Sequence, residues 1–172
     1  MSLYGEKSYC EFSQDRDYRY WLERTWDATK PRIAFLMLNP STADEQKNDP
    51  TVERCQRRAT SLGFGGMVVV NLFALRSTDP AMLYTNPSPV SHPSEPDRND
   101  RSIKRAIFFC KNAVAAWGSH GRFTERAKQV MHHIRFCDNL TCLGTTKDGH
   151  PRHPLYVGYD VPLQPFTIGG SL

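Results

Sequence analysis

No stretch of the 172-residue chain is apolar for long enough to cross a bilayer. The longest such runs are 33–38, 106–110 and 113–117, against the roughly 20 residues that a membrane helix needs, so no membrane partner is expected. No secretory leader is expected either, because Met1-Ser2-Leu3 runs straight into polar and charged residues. Cysteine is sparse, odd in number and scattered, at positions 10, 55, 110, 137 and 142. That pattern fits reduced thiols in a cytoplasmic protein better than a disulfide framework. Several catalytic signatures are absent too. There is no G-x-x-x-x-G-K-[ST] phosphate loop, and Gly63-Phe64-Gly65-Gly66 precedes a strand rather than a helix. No G-x-S-x-G nucleophile elbow occurs. Cys137, Cys142, His150 and His153 are poorly spaced for a metal, so neither a metal nor another cofactor is expected.

What is present belongs to one globular domain, 1–172, at 39% hydrophobic and 23% charged residues. Net charge is +4 but unevenly placed: residues 97–152 hold eleven Lys/Arg against five Asp/Glu. Such a basic segment suits contact with phosphate or nucleic acid, and reads as well as a solvated helix face.

Residues 8–26 predict a β-hairpin turning at Gln14-Asp15-Arg16-Asp17, with Tyr18, Tyr20 and Leu22 alternating against Arg19, Trp21 and Glu23. A core over 32–157 follows, and then an irregular tail over 158–172. Runs without alternation at 33–38, 67–72, 113–117 and 140–143 predict strands buried on both faces. Helices separate them. One is capped by Asp49 with Pro50 in its first turn and ends at Gly63; a second is capped by Asn99 or Asp100; a third carries Phe123, Ala127, Val130, Met131 and Ile134. Residues 76–99 form a long connection holding five of the twelve prolines, with room for a short helix near 79–84. The alternation predicts an α/β fold: three α/β/α layers around a mainly parallel four-stranded sheet, plus the hairpin.

Ligands of such folds sit beyond the carboxyl ends of the strands, where polar loops recur at 39–44, 71–76, 118–121 and 147–153. Asn39, held between a buried strand and Pro40, can fix a water or read a polar edge, and Ser41 shares its loop; the same Asn-Pro-Ser-Thr string is also a good turn. Asp44 is a candidate base, and Asp49 reads as base or as helix cap. Asn71 interrupts an apolar strand, where its amide needs a partner in a ligand or in nearby backbone. Arg76 can bind phosphate or brace the long loop. Trp117 offers a stacking surface or simply core. Adjacent Ser119 and His120 read as loop rather than as a relay. The stiff run His150-Pro151-Arg152-His153-Pro154, with Lys147 just before it, places two imidazoles and a guanidinium on a protruding loop.

The chain resembles the bacterial and phage family of unknown function DUF1643 through Leu38-Asn39-Pro40-Ser41-Thr42-Ala43-Asp44, Asp49-Pro50-Thr51, Asn71-Leu72-Phe73-Ala74-Leu75-Arg76, Asn99-Asp100, Ala116-Trp117-Gly118 and Gly149-His150-Pro151-Arg152-His153-Pro154-Leu155-Tyr156. It is more distantly similar to the uracil-DNA glycosylase superfamily. The mismatch-specific branch has a Gly-Ile-Asn-Pro-Gly loop after its first strand, and Asn39-Pro40 matches its centre while Met37 and Ser41 replace the glycines. Members also carry a late His-Pro-Ser loop; His150-Pro151 matches its start and Arg152 departs from it. The resemblance implies recognition of a nucleobase or nucleotide, with nucleic acid as partner. If catalytic, the domain would hydrolyse an N-glycosidic bond in an extruded nucleotide. Asn39 with Asp44 would place the water, His150 or His153 would stabilise the departing base, and Pro40, Ser41, Asn71, Arg76, Trp117, Lys147 and Arg152 would hold substrate. A non-catalytic binding or adaptor domain, or an enzyme of free nucleosides or nucleotides, is the alternative. The sequence assigns no oligomeric state.

Overall fold

A computed structural model of the chain describes residues 7–119 and 124–167. His120, Gly121 and Phe123 of the readings above, and the tail beyond Thr167, lie outside them. The fold is α/β, built on a mixed seven-stranded sheet in the order β1-β2-β4-β3-β5-β6-β7. The strands are β1 (Lys7–Phe12), β2 (Arg19–Thr25), β3 (Arg32–Met37), β4 (Gly66–Asn71), β5 (Asn112–Ala115), β6 (Asn139–Cys142) and β7 (Gln164–Pro165). Strands β4, β3, β5 and β6 pair in parallel. This differs from a four-stranded sheet with an appended hairpin. The hairpin joins the sheet itself, β2 pairing antiparallel with β4, and β7 in the supposedly irregular tail closes the other edge against β6.

That placement changes how the hairpin reads. Alternation assigns Arg19, Trp21 and Glu23 to an outer face, but β2 lies between two strands and its residues 19–22 are all buried. Arg19, 2% exposed, is among the largest fully buried side chains of the protein.

The helices are α1 (Pro50–Ser61), α2 (Met82–Thr85), α3 (Arg98–Cys110) and α4 (Thr124–His133). Asp49 caps α1, its Oδ1 accepting the Val52 N–H at 2.9 Å, and Pro50 opens the first turn where no amide donor is needed. Period-2 alternation on β3 sends Ile33, Phe35 and Met37 to a core with Val52, Cys55 and Ala59 of α1, and Ala34 and Leu36 to a second core with Ile103 and Ile107 of α3, Val130 of α4 and Ile134 just after it. Thus α1 covers one face of the sheet, and α3 and α4 cover the other.

Neither Asn99 nor Asp100 caps α3. The helix begins at Arg98 with Asp97 before it, and no side chain caps its end. Asn99 is instead fully buried, its Nδ2 donating to the carbonyls of Asn71 and Leu72 at 3.1 Å each. This amide pins the end of β4 to α3, so Asn99→Ala should lower unfolding free energy by about 1–3 kcal/mol through the loss of both bonds, which leaves the Leu72 carbonyl with only the Arg126 Nε–H, read by urea denaturation. A loss below half a kcal/mol would show that those carbonyls find other partners.

Candidate functional site

From β3 the chain passes through α1 to β4 on one side, then crosses back to β5 on the other. The gap between the carboxyl ends of β3 and β5 is therefore the topological switch point, the ligand position of open α/β sheets. A cavity of about 520 Å³ lies there, within the size range of small-molecule sites. Its floor is apolar, from Met37, Val52 and Val69 on the α1 side of the sheet. Asn39 and Ser41 come from the loop after β3, Asn71 from the end of β4, Trp117 to Ser119 from the loop after β5, and Thr146, Arg152, His153 and Tyr156 from the segment after β6.

Backbone bonds explain why the last segment reaches the cavity. The Gly118 N–H donates to the Pro151 carbonyl and the Arg152 N–H to the Gly144 carbonyl, both at 2.9 Å. Gly118 has φ +76, and a Cβ there would stand 3.3 Å from the His153 Cβ, so glycine lets the two loops touch. From α1, Arg54 donates to the carbonyls of Pro154 and Val157, and buried Arg58 to those of Gly158 and Val161. The segment is thus clamped from both sides.

Asn39 is fixed through its nitrogen. Nδ2 donates to the carbonyls of Pro40 (3.0 Å) and Ser77 (2.9 Å), which leaves Oδ1 as an acceptor on the cavity side. Buried Pro40 acts through that carbonyl and does not itself line the cavity. Asn71 is 2% exposed, and neither Oδ1 nor Nδ2 has a partner among the described residues; the same is true of Nε1 of Trp117, 4% exposed. The Trp117 ring packs edge-on against Phe166 with centroids 5.5 Å apart, so its body is core and its N–H is the functional end. His153 Nδ1 accepts the Leu155 N–H at 3.2 Å. In the neutral ring, that bond assigns the proton to Nε2.

Four expected site residues lie elsewhere. Asp44 Oδ1 accepts the N–H groups of Gln46 and Lys47 in a turn, bonds that lower its pKa, and it does not line the cavity. Arg76 braces the long loop, donating to the carbonyls of Ser41 and Arg16 above the Phe12 ring. His150 and Lys147 belong to a turn closed by the Thr146 N–H on the His150 carbonyl, and of these three only Thr146 lines the cavity. Of the two imidazoles, only His153 meets Asn39 at the cavity. Part of the basic segment is ion-paired: Arg98 and Arg105 with Glu11, Arg126 with Asp100 and Lys128 with Glu125.

One charged group was not read as a site residue. Arg19 lines the cavity, its Nη1 donating to the Ala43 carbonyl at 2.8 Å while Nε has no partner. Burial pushes its pKa down to about 10. Asp49, read as base or cap, caps α1 and is the one carboxylate among the lining residues. The only sequence signal for Arg19 was a charge inside an aromatic strand, and hairpin alternation pointed it outward. Among the described residues no group of three or more His, Cys, Asp or Glu could hold a metal ion.

These features define an α/β protein with a polar-rimmed cavity at its switch point. A family model, protein of unknown function (DUF1643), matches residues 19–155, well over half of the chain, and the protein belongs to that family. No curated protein and no solved structure gives a significant match.

Proposed function

We propose that the cavity binds a nucleobase or nucleotide and that the site is built to hydrolyse an N-glycosidic bond. The observation that carries the binding reading is Asn71: a buried primary amide with donor and acceptor both unpaired, beside the unpaired Trp117 N–H. A buried amide without partners is unfavourable by about 1–3 kcal/mol. A nucleobase edge, which sets a donor beside an acceptor, satisfies both of its atoms at once. The parallel β4-β3-β5-β6 unit, with α1 on one face and α3 and α4 on the other, supports the likeness to the uracil-DNA glycosylase fold. The free cysteines support a reducing, cytoplasmic setting.

Hydrolysis needs a water held near the anomeric carbon and a donor for the departing base. Asn39 Oδ1 accepts one water hydrogen and so aims its lone pair. Asp49, replacing Asp44 in this role, takes the proton as the water oxygen bonds to carbon. The carbon–nitrogen bond breaks, its electron pair leaves with the base, and His153 Nε2–H hydrogen-bonds that developing anion.

Release of free base from a panel of natural and modified nucleotides tests this. Asn at a helix N-cap is as good as Asp, so Asp49→Asn should fold with stability within about 1 kcal/mol of wild type and release base about 100-fold more slowly or worse. Asn39→Ala should be similarly slow. Binding without release by the wild type would leave a non-catalytic domain; equal rates in wild type and both variants would remove the assigned roles.

A further inference from the structure

We infer that the cavity's ligand carries a phosphate, bound by the buried guanidinium of Arg19 beside the amino end of α1; this deepens the nucleotide reading and rests on it for the base. The starting observation is a cation in the wrong place. Arg19 is fully buried, yet no carboxylate oxygen of a described residue lies within 4.0 Å of it. Its contact with protein is one bond, Nη1 to the Ala43 carbonyl, and Nε is buried and unpaired. A buried charge with no carboxylate in contact is destabilising, Asp49 acting on it only from a distance, unless something else in the working state neutralises it.

The surroundings say what that something is. The unpaired atoms of the buried cavity side chains comprise three donors (Arg19 Nε, Trp117 Nε1, Asn71 Nδ2) and one acceptor, Asn71 Oδ1. The complement is an acceptor-rich molecule. Among the charged lining residues, Arg19 and Arg152 oppose Asp49, so the cavity is net positive with His153 neutral. Asp49 is also partly committed, its two oxygens accepting the Val52 and Ala43 N–H groups at 2.9 and 3.4 Å. Thr51, in the first turn of the 12-residue α1, also lines the cavity, where helix amides and dipole favour an anion. A phosphate bridging Arg19 and Thr51 meets these groups while the base reaches Asn71 and Trp117. Burial lowers the Arg19 pKa, and an anion in contact would raise it again.

Calorimetric titration of the whole protein with a deoxynucleoside, its 5′-monophosphate, inorganic phosphate and a single-stranded oligonucleotide tests the idea. The 5′-monophosphate should bind about tenfold or more tightly than the nucleoside, as a charge-assisted contact in a desolvated site allows. In Arg19→Met that ratio should fall to about threefold or less. The wild-type ratio stands even if the variant does not fold. Binding of the oligonucleotide but not of the free monophosphate, again lost in R19M, also supports the inference and assigns the phosphate to a polymer. Equal affinity for nucleoside and monophosphate overturns the inference while leaving base recognition intact. Tight inorganic phosphate binding that needs Arg19, without discrimination among bases, upholds it and overturns the nucleobase reading. No binding in any arm overturns both.

Discussion

Asn71→Val is expected to give a protein that is more stable than the wild type and no longer binds nucleotide. Asn71 closes a strand whose other residues are Gly66, Met67 and three valines, and it is buried with both amide atoms unpaired. Valine matches the strand and the apolar floor formed by Met37, Val52 and Val69. Removing the unpaired amide should therefore raise unfolding free energy by about 1 kcal/mol or more. The ligand would lose two hydrogen bonds in a desolvated site, a loss of about 100-fold in affinity or greater. Urea denaturation and calorimetry measure both. A variant destabilised by more than about 1 kcal/mol would mean that Asn71 supports the fold rather than the site.

The second large effect concerns the clamp on the late loop. Buried Arg58 donates to the Gly158 carbonyl at 2.8 Å and to that of Val161 at 3.0 Å, and Arg54 holds the carbonyls of Pro154 and Val157 at 2.9 and 2.6 Å. Hydrogen bonds from a charged donor contribute about 1.5–3 kcal/mol each. Arg58→Ala should thus destabilise by about 3 kcal/mol, with a cavity left behind, the Val161 carbonyl losing its donor and the Gly158 carbonyl keeping only the Val161 N–H at 3.3 Å. The same change frees residues 157–161 from α1 and loosens His153 and Tyr156 over the cavity. Arg54→Ala touches the loop nearer to His153, so it should lose less stability but more affinity. The reverse ranking would show that His153 is held by the Gly118 side alone.

Much of this frame was legible beforehand, and the reasons differ by element. The cap and proline of α1 are local chemistry, so Asp49-Pro50 announces its helix. Parallel strands buried on both faces show as unbroken apolar runs, and the loops after them mark the edge where Asn39, Ser41, Asn71, Trp117, Arg152 and His153 meet. The failures are tertiary. Alternation in β2 fits a half-exposed hairpin, but pairing with β4 buries both faces and turns Arg19 inward. His150 and His153 are equivalent on paper. They separate because the Thr146–His150 turn closes on itself while Gly118 and α1 pull the next residues across the cavity. Asn99 looks like a cap because its type favours caps, and its burial under β4 could not be read locally. Charge counting over 97–152 could not show that Glu11, lying far away in sequence, would hold two of its arginines.

The central claim is that unpaired groups at the switch point wait for a ligand. The three tryptophan indoles provide a direct test, since Trp21 Nε1 donates to Glu23 and Trp26 Nε1 to the Phe64 carbonyl, whereas that of Trp117 has no partner among the described residues. In a nitrogen-15 NMR titration with deoxynucleoside 5′-monophosphates, the Trp117 indole and the Asn71 side-chain amide should shift and saturate together while the other two indoles stay in place. A saturating titration in which Trp117 and Asn71 do not move, or in which all three indoles move alike, would contradict the account.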